Sequence, residues 1–314
     1  MRVNIVEKDA PFRLAALECA ASCIVSALDI RGLDRRLFLM GYWHTVYYEG
    51  LLMSAQNIKW IELAYEYGIQ TRMTSGPPGE VAALLERGDM AIVLCRASEL
   101  RFFPASMLGF ESTGFYHCVL AYGKGEADNS FLVTDSVAGF RGAMTTEELD
   151  RAGVRSQEWV YCHLSFNASY RQPELRASFL RETNRILDEY VSDGRSAIDS
   201  FLGVLAESGQ WDPVKRRSWT DRNNIALAAL SKMRTIVWQS YLDTGLLGAE
   251  ERETGSRLAE KIVRGWTNVN LQLVRYGISG VPRSSDSIRS GIEEVVAAEL
   301  LLLKLLAGSE REPE

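Results

Sequence analysis

The chain has 314 residues, 46% hydrophobic and 24% charged, a globular composition that excludes wholesale disorder. At roughly 150 residues per domain the length suggests about two domains, large enough to bury cores without disulfide staples. With 35 basic and 41 acidic residues the net charge is −6, which argues against nucleic acid and anionic membranes as main partners.

Arg2, Glu7, Lys8 and Asp9 interrupt the N-terminus, so no signal peptide is expected there. Leu17 to Ile30 is dense in Ala, Leu, Ile and Val, and Gly32 follows. This reads as a buried helix beginning near Glu18 or Cys19. Leu37 to Leu52 carries Phe38, Tyr42, Trp43, Tyr47 and Tyr48 with Gly41 and Gly50, a pattern that fits a short hairpin or an irregular aromatic loop. Asn57 is placed to cap a helix through Tyr67, which Gly68 ends. Ile69 to Thr74 reads as a strand, Ser75 to Gly79 as a proline-punctuated loop, and Glu80 to Glu86 as a helix. Met90 to Cys95, Tyr116 to Tyr122, Ser130 to Thr134 and Trp159 to Leu164 read as strands, with a turn at Gly123 to Asn129. An antiparallel sheet following a helical lobe is an α+β arrangement.

Strand signals stop beyond Ser165. Pro173 opens a helix over Glu174 to Val191, and Asp193-Gly194 is expected to break it. Helical periodicity returns over Arg195 to Glu207, Asp221 to Thr244, Ala249 to Tyr276 and Asp286 to Leu306. Asp221 to Asn224 reads as a capping turn, Lys215 to Arg217 as a solvated loop, and Trp211, Trp219, Trp238 and Trp266 as core. The expected domains are therefore an α+β region over 1–168, an all-helical region over 169–307 and a disordered tail over 308–314. Exposed apolar helices in the C-terminal half favour a homodimer. The longest apolar run, Val295 to Ala307, contains Glu299 and Lys304 and falls short of the ~20 residues needed to span a bilayer.

Five cysteines (Cys19, Cys23, Cys95, Cys118, Cys162) without a leader read as reduced thiols, which points to the cytoplasm. No C-x-x-C pair is present, and Cys19, Cys23 and His117 lack metal-ligand spacing, so no metal or bound cofactor is expected. Histidine is limited to His44, His117 and His163.

A cysteine at a helix start sits where free N–H groups and the helix dipole favour the thiolate, as a nucleophile requires. Cys19 fits that position, and it fits equally a small apolar core residue. His117 begins a predicted strand, where an imidazole serves as a general base or as a structural group. Asp135 ends the next predicted strand, either orienting that imidazole or capping a loop. A spacing of 18 residues between His117 and Asp135 suits one hairpin with both side chains at the same end. By strand alternation Cys118 should face away from His117. His163 lies in a strand with no matching partner motif.

Glu18-Cys-Ala-Ala-Ser-Cys-Ile-Val-Ser-Ala-Leu28 resembles the nucleophile segment of peptidase family C39. Tyr67-Gly-Ile69, Arg87-Gly88, Ala91-Ile-Val-Leu94, His117-Cys-Val-Leu-Ala-Tyr-Gly123 and Leu132-Val-Thr-Asp135 extend that resemblance. Leu37 to Tyr42, Ser98 to Pro104, Ser178-Phe-Leu180 and Gly194 to Phe201 are similar to segments of BtrH-like acyltransferases, named for the butirosin biosynthesis protein. That family joins a papain-like N-terminal region to a helical C-terminal region.

The resemblance implies a papain-like fold with Cys19 as nucleophile, His117 as base and Asp135 as its orienter. It implies an acyl group delivered as a thioester on the phosphopantetheine arm of an acyl or peptidyl carrier protein, and transfer to a small-molecule amine to form an amide. Residues 38–48 are expected to line the substrate pocket, with Tyr42, Trp43, His44, Glu18, Gln56 and Tyr116 as its candidates. Two positions depart from these families: Arg13 stands where the peptidases carry glutamine, and Glu18 where BtrH-like chains often carry histidine. The Cys19 N–H is the default oxyanion donor and Gln56 a side-chain candidate. The rival readings are a peptidase or thioesterase using the same residues, and an inactive scaffold that binds a carrier protein or peptide.

Overall fold

Apolar residues at nearly every position of Cys19–Arg31 leave this helix, α1, no solvent-facing stripe, so it must be surrounded. In the computed structural model, which describes residues 19–54, 60–104, 116–127, 129–155, 157–171 and 173–308, Ala21, Ile24, Val25 and Leu28 of α1 are fully buried. Burying Ile24, Val25 and Leu28 stabilises the fold by about 1.5–3 kcal/mol each. Gly32 takes the left-handed conformation (φ 65°) that closes the helix. The Leu33 N–H then reaches back to the Leu28 carbonyl at 2.9 Å.

The described residues form two compact units that are not contiguous in sequence: residues 19–35 and 60–173 in one, 36–54 and 174–308 in the other. The expected first region, 1–168, thus differs from the observed grouping, in which residues 36–54 pack with the later helices.

The first unit is α+β. After α1 come α3 (Trp60–Tyr67), β3 (Ile69–Gly76), α4 (Pro78–Glu86), β4 (Met90–Arg96), β5 (Tyr116–Lys124), β6 (Ser130–Asp135), β7 (Phe140–Thr145), α5 (Thr146–Ala152) and β8 (Trp159–Phe166). The strands form one antiparallel sheet in the order β3-β8-β4-β5-β6-β7. Val81, Leu84 and Leu85 of α4 and Leu149 of α5 share a core with Val93, Val119, Ala121, Val133 and Trp159 of the sheet. α1 packs against β4, β5 and β6. Cover from helices explains why β4 and β5 read as continuous apolar runs.

Several expectations are corrected here. β3 continues through Ser75 and Gly76, and α4 starts at Pro78, because proline at the first helical turn costs no hydrogen bond. β7 and α5 were not anticipated, since Arg141 and Gly142 break the apolar pattern of the strand. The Thr145–Glu148 capping box does mark the start of α5. Gly68 ends α3 at φ +64°, and a Cβ there would sit 2.3 Å from the Tyr170 ring, so only glycine fits.

The second unit opens with α2 (Arg36–Met40), a 3-10 turn (Gly41–Trp43) and a hairpin of β1 (Thr45–Tyr48) and β2 (Leu51–Ser54). Glu49 and Gly50, both at positive φ, make its two-residue turn. Helices α6 (Leu175–Glu189), α7 (Arg195–Glu207), α8 (Pro213–Asp243), α9 (Ala249–Ser279) and α10 (Pro282–Gly308) follow. Asp193-Gly194 does not break the chain's helical course; Tyr190–Gly194 is a π-helical turn joining α6 to α7. α8 begins at Pro213 with the Asp212 side chain accepting from the Val214 and Lys215 N–H groups, so Lys215 to Arg217 is helix rather than loop.

Asn223 is accordingly no cap. Its side chain accepts from the Leu52 N–H (3.1 Å) and donates to the Gly50 carbonyl (2.9 Å), holding the hairpin on α8. Trp219 donates to the same carbonyl at 3.0 Å. Deeper in this unit Arg234 pairs with Glu299 at 2.7 Å, both within 1% of full burial. Trp266 and Tyr190 donate to Glu299, and Arg234 also donates to Thr45 Oγ1 and the Tyr42 carbonyl, so the buried charges are partnered. α10 is described as far as Gly308; the rest of the expected tail, 309–314, lies outside the described residues. Among the described residues no helix is long and apolar enough to cross a membrane.

Candidate active site

Cys19 is the first described residue of α1, the helix that packs on β4, β5 and β6. β5 and β6 form the hairpin that the 18-residue spacing suggested, with Leu120 opposite Thr134 and a register shift between Ala121 and Gly123. His117 near the start of β5 and Asp135 at the end of β6 therefore share one end. His117 Nε2 lies 2.8 Å from Asp135 Oδ2, with both side chains 1% exposed. Asp135 Oδ1 accepts from the Val137 and Ala138 N–H groups at 2.8 and 3.1 Å. The carboxylate thus does both of the jobs left open for it: it caps the loop and orients the imidazole. Phe103 lies edge-on to the imidazole, 4.6 Å between ring centres, and shields the pair from water.

Nε2 is committed to Asp135. Cys19 and His117 shift each other's ionisation, and the Cys118 thiol and backbone act on Cys19 as well. α1 packs on β5, the strand that carries both His117 and Cys118. Cys23, one turn along α1, directs its sulfur to the Cys118 carbonyl at 3.5 Å. Ser26 bonds Ser136, the neighbour of Asp135, at 2.5 Å. These two contacts fasten α1 to both strands that carry the site.

The electrostatics follow from this geometry. The hydrogen bond from the Cys118 thiol is the strongest influence on Cys19. Together with the His117 hydrogen bond and charge it overcomes burial, and the thiol falls from 9.0 to about 4. Burial alone would lower the His117 pKa; the bonds to Asp135 and Cys19 reverse this and raise it from 6.5 to about 9. Between those values the pair is a thiolate and an imidazolium. The other thiols move the opposite way. Burial pushes Cys23 well up, Cys95 to about 12 and Cys162 to about 11. Cys118 is raised by its bond to Cys19, then by burial.

His163 has a partner that its motif did not reveal: Asp89 Oδ2 lies 2.8 Å from its Nε2. The cysteine beside it, Cys162, is buried with its sulfur 3.9 Å from the His163 carbonyl, so the pair has no activated thiol. Asp89 could not be picked out from sequence because it reaches His163 through the pairing of β4 with β8, in which Ala91 lies opposite His163.

The candidate pocket residues separate. Tyr42, Trp43 and His44 belong to the second unit and are 0%, 0% and 7% exposed. The Trp43 ring packs under the Arg234 guanidinium at 4.8 Å, and His44 Nδ1 lies 3.8 Å from Glu189. Tyr116, in the first unit, is 53% exposed at the start of β5. Glu18 and Gln56, like Arg13, lie outside the described residues. Among the described residues no cluster of His, Cys, Asp and Glu is arranged to hold a metal ion. No family model matches the chain, and no curated protein matches it significantly.

Proposed function

We propose that this chain is a papain-like cysteine acyltransferase that moves an acyl group from a carrier-protein thioester to an amine. The buried His117–Asp135 pair at 2.8 Å, with a Cys19 thiol whose ionisation His117 lowers, is the observation that carries this reading. A helix-start cysteine against an antiparallel sheet that bears a histidine and an aspartate is the papain-like arrangement. The similarity of Leu37 to Tyr42, Ser98 to Pro104, Ser178-Phe-Leu180 and Gly194 to Phe201 to segments of BtrH-like chains supports transfer as the outcome.

The Cys19 thiolate attacks the thioester carbonyl, forming a carbon–sulfur bond. The tetrahedral intermediate collapses, and the phosphopantetheine thiolate leaves with the proton that His117 held. An amine then attacks the acyl-enzyme, the neutral His117 takes its proton, and the Cys19 thiolate departs as the amide forms. Asp135 stabilises the imidazolium through both half-reactions. The Cys19 backbone N–H is the oxyanion donor in this reading. Water attacking the same acyl-enzyme would give free acid instead, so exclusion of water separates transfer from hydrolysis.

Intact-mass measurement after incubation with acyl-carrier thioesters tests this. An acyl adduct is expected on the wild-type chain and not on Cys19→Ala, with loss of the adduct and appearance of amide when an amine is added. No adduct from any acyl donor overturns the covalent mechanism. Adduct that resolves only to free acid, whatever the amine, reassigns the chain to hydrolysis.

A further inference from the structure

The second unit holds a cavity of about 290 Å³ between the start of β1 and the helical course that runs through the π-turn into α7. One wall is His44, Thr45, Val46 and Tyr47; the other is Asp193, Ser196, Ala197 and Ser200. The second wall is a single helix face, because its residues are spaced i, i+3, i+4 and i+7. It begins inside the Tyr190–Gly194 π-turn, and such turns are rare in helices and frequent at functional sites. The acyl-transfer chemistry above uses none of these residues.

His44 is 7% exposed, and its Nδ1 is buried without a hydrogen-bond partner. The Glu189 carboxylate lies 3.8 Å from that nitrogen, beyond hydrogen-bond reach, and is itself held by Arg185 at 2.6 Å. A buried ring nitrogen left in this state costs desolvation free energy, which a group seated in the cavity offsets directly or through one water. Burial holds the imidazole below its ordinary pKa, against the pull of Glu189 and Asp193, so the ring is neutral at pH 7. Among the described residues that line the cavity, Asp193 is then the one ionised group. It is exposed and has no cation paired with it among the described residues; Arg195, two positions on, turns to Asp199 at 3.3 Å. The hydroxyls of Ser196, Ser200 and Tyr47 surround it, and the described lining contains no lysine or arginine to hold an anion. A carboxylate, hydroxyls and a neutral imidazole suit a ligand that brings a positive charge and several donors.

We infer that this cavity is a binding site for a small hydroxylated amine, with its ammonium on Asp193 and its hydroxyls on Ser196, Ser200 and His44. The site goes beyond the acyl-transfer reading and does not depend on Cys19. Its volume lies at the small end of the range for small-molecule sites, about 300–1,000 Å³, which limits the ligand to roughly one sugar ring. A ligand of that size is expected to bind with a dissociation constant of about 1–10 mM.

The test uses the full chain labelled with nitrogen-15 at histidine, whose three rings give few enough signals to follow one by one. The His44 signals are those that vanish in His44→Gln; should that variant not fold, His117→Gln and His163→Gln assign them by exclusion. D-Glucosamine is titrated beside D-glucose and D-glucuronate, which keep the ring and hydroxyls but carry no charge or a negative one. Glucosamine should shift the His44 signals to saturation while those of His163 stay in place. It should bind about tenfold more tightly than the other two, the difference a charge-assisted hydrogen bond makes. Asp193→Asn should remove that preference. Ser196→Phe, at an exposed position on the cavity edge, should abolish the shift with Tm unchanged. No saturable His44 shift with any of the three up to about 50 mM, several times the expected constant, overturns the inference. So does an equal response to glucose and glucosamine, a stronger one to glucuronate, or a shift that survives Ser196→Phe. Acylation of Cys19, present or absent, alters none of these outcomes.

Discussion

The ionisation of Cys19 is drawn down by the Cys118 thiol and the His117 ring, and that ring is held by Asp135. With the thiol near 4 and the imidazole near 9, the ion pair persists across the neutral range. Deprotonation of Cys19 is complete above its lowered pKa, so its alkylation by iodoacetamide should be flat from about pH 5 to about pH 8. Quantifying each cysteine by peptide mass spectrometry should show Cys19 labelled alone in that window, because burial holds Cys23, Cys95 and Cys162 protonated. In His117→Gln the rate should become pH-dependent and drop at the acidic end by about tenfold or more, each unit of pKa being a factor of ten. A wild-type rate that climbs steadily toward pH 9 would contradict the ion pair. Asp135→Asn keeps the shape but no longer stabilises the imidazolium, and a loss of about 10²–10⁴-fold in turnover is expected.

At the scale of elements, α1 brings Cys19 and the β5–β6 hairpin brings His117 and Asp135, so the candidate site depends on how a helix seats on a sheet. In the second unit Asn223 does comparable work for the β1–β2 hairpin. A lone two-stranded hairpin is marginal in water, and this one is fastened by side chains of α8. Replacing Asn223 with alanine leaves the buried Leu52 N–H without its acceptor, at a cost of about 1–3 kcal/mol. Thermal unfolding should register this as a lowered Tm; an unchanged Tm would remove Asn223 from that role.

Across the whole molecule, the grouping of residues 36–54 with the later helices has a direct consequence. Leu37, Phe38, Leu39, Met40, Tyr42 and Trp43 are at most 7% exposed, buried in the second unit, where α2 and the following 3-10 turn pack on α6 and α8. A fragment ending at residue 173 would release all of them to water at once. It should aggregate, or bind a hydrophobic dye strongly, when expressed alone. A soluble, monomeric fragment with the alkylation behaviour of the full chain would show that the first unit folds without that support.

Much of this was readable from local chemistry. Helix α1 and its Gly32 stop, the core strands and the long C-terminal helices follow from periodicity and capping, which act over a few residues. The order of a helix-start cysteine, a strand-start histidine and a strand-end aspartate singled out Cys19, His117 and Asp135, because a hairpin ties the last two together by chain length alone. What sequence could not supply was everything fixed by contacts distant along the chain. It left the aromatic segment undecided, since the hairpin there owes its turn to Glu49 and Gly50 but its support to Asn223 and Trp219 in α8. It found no partner for His163, since Asp89 reaches it across a sheet register. It dismissed Cys118 as facing the other way, because alternation gives the side of a strand but not what packs there. Only the tertiary structure decides that α1 seats on β5 and β6, so that the helix of Cys19 meets the strands of His117 and Asp135.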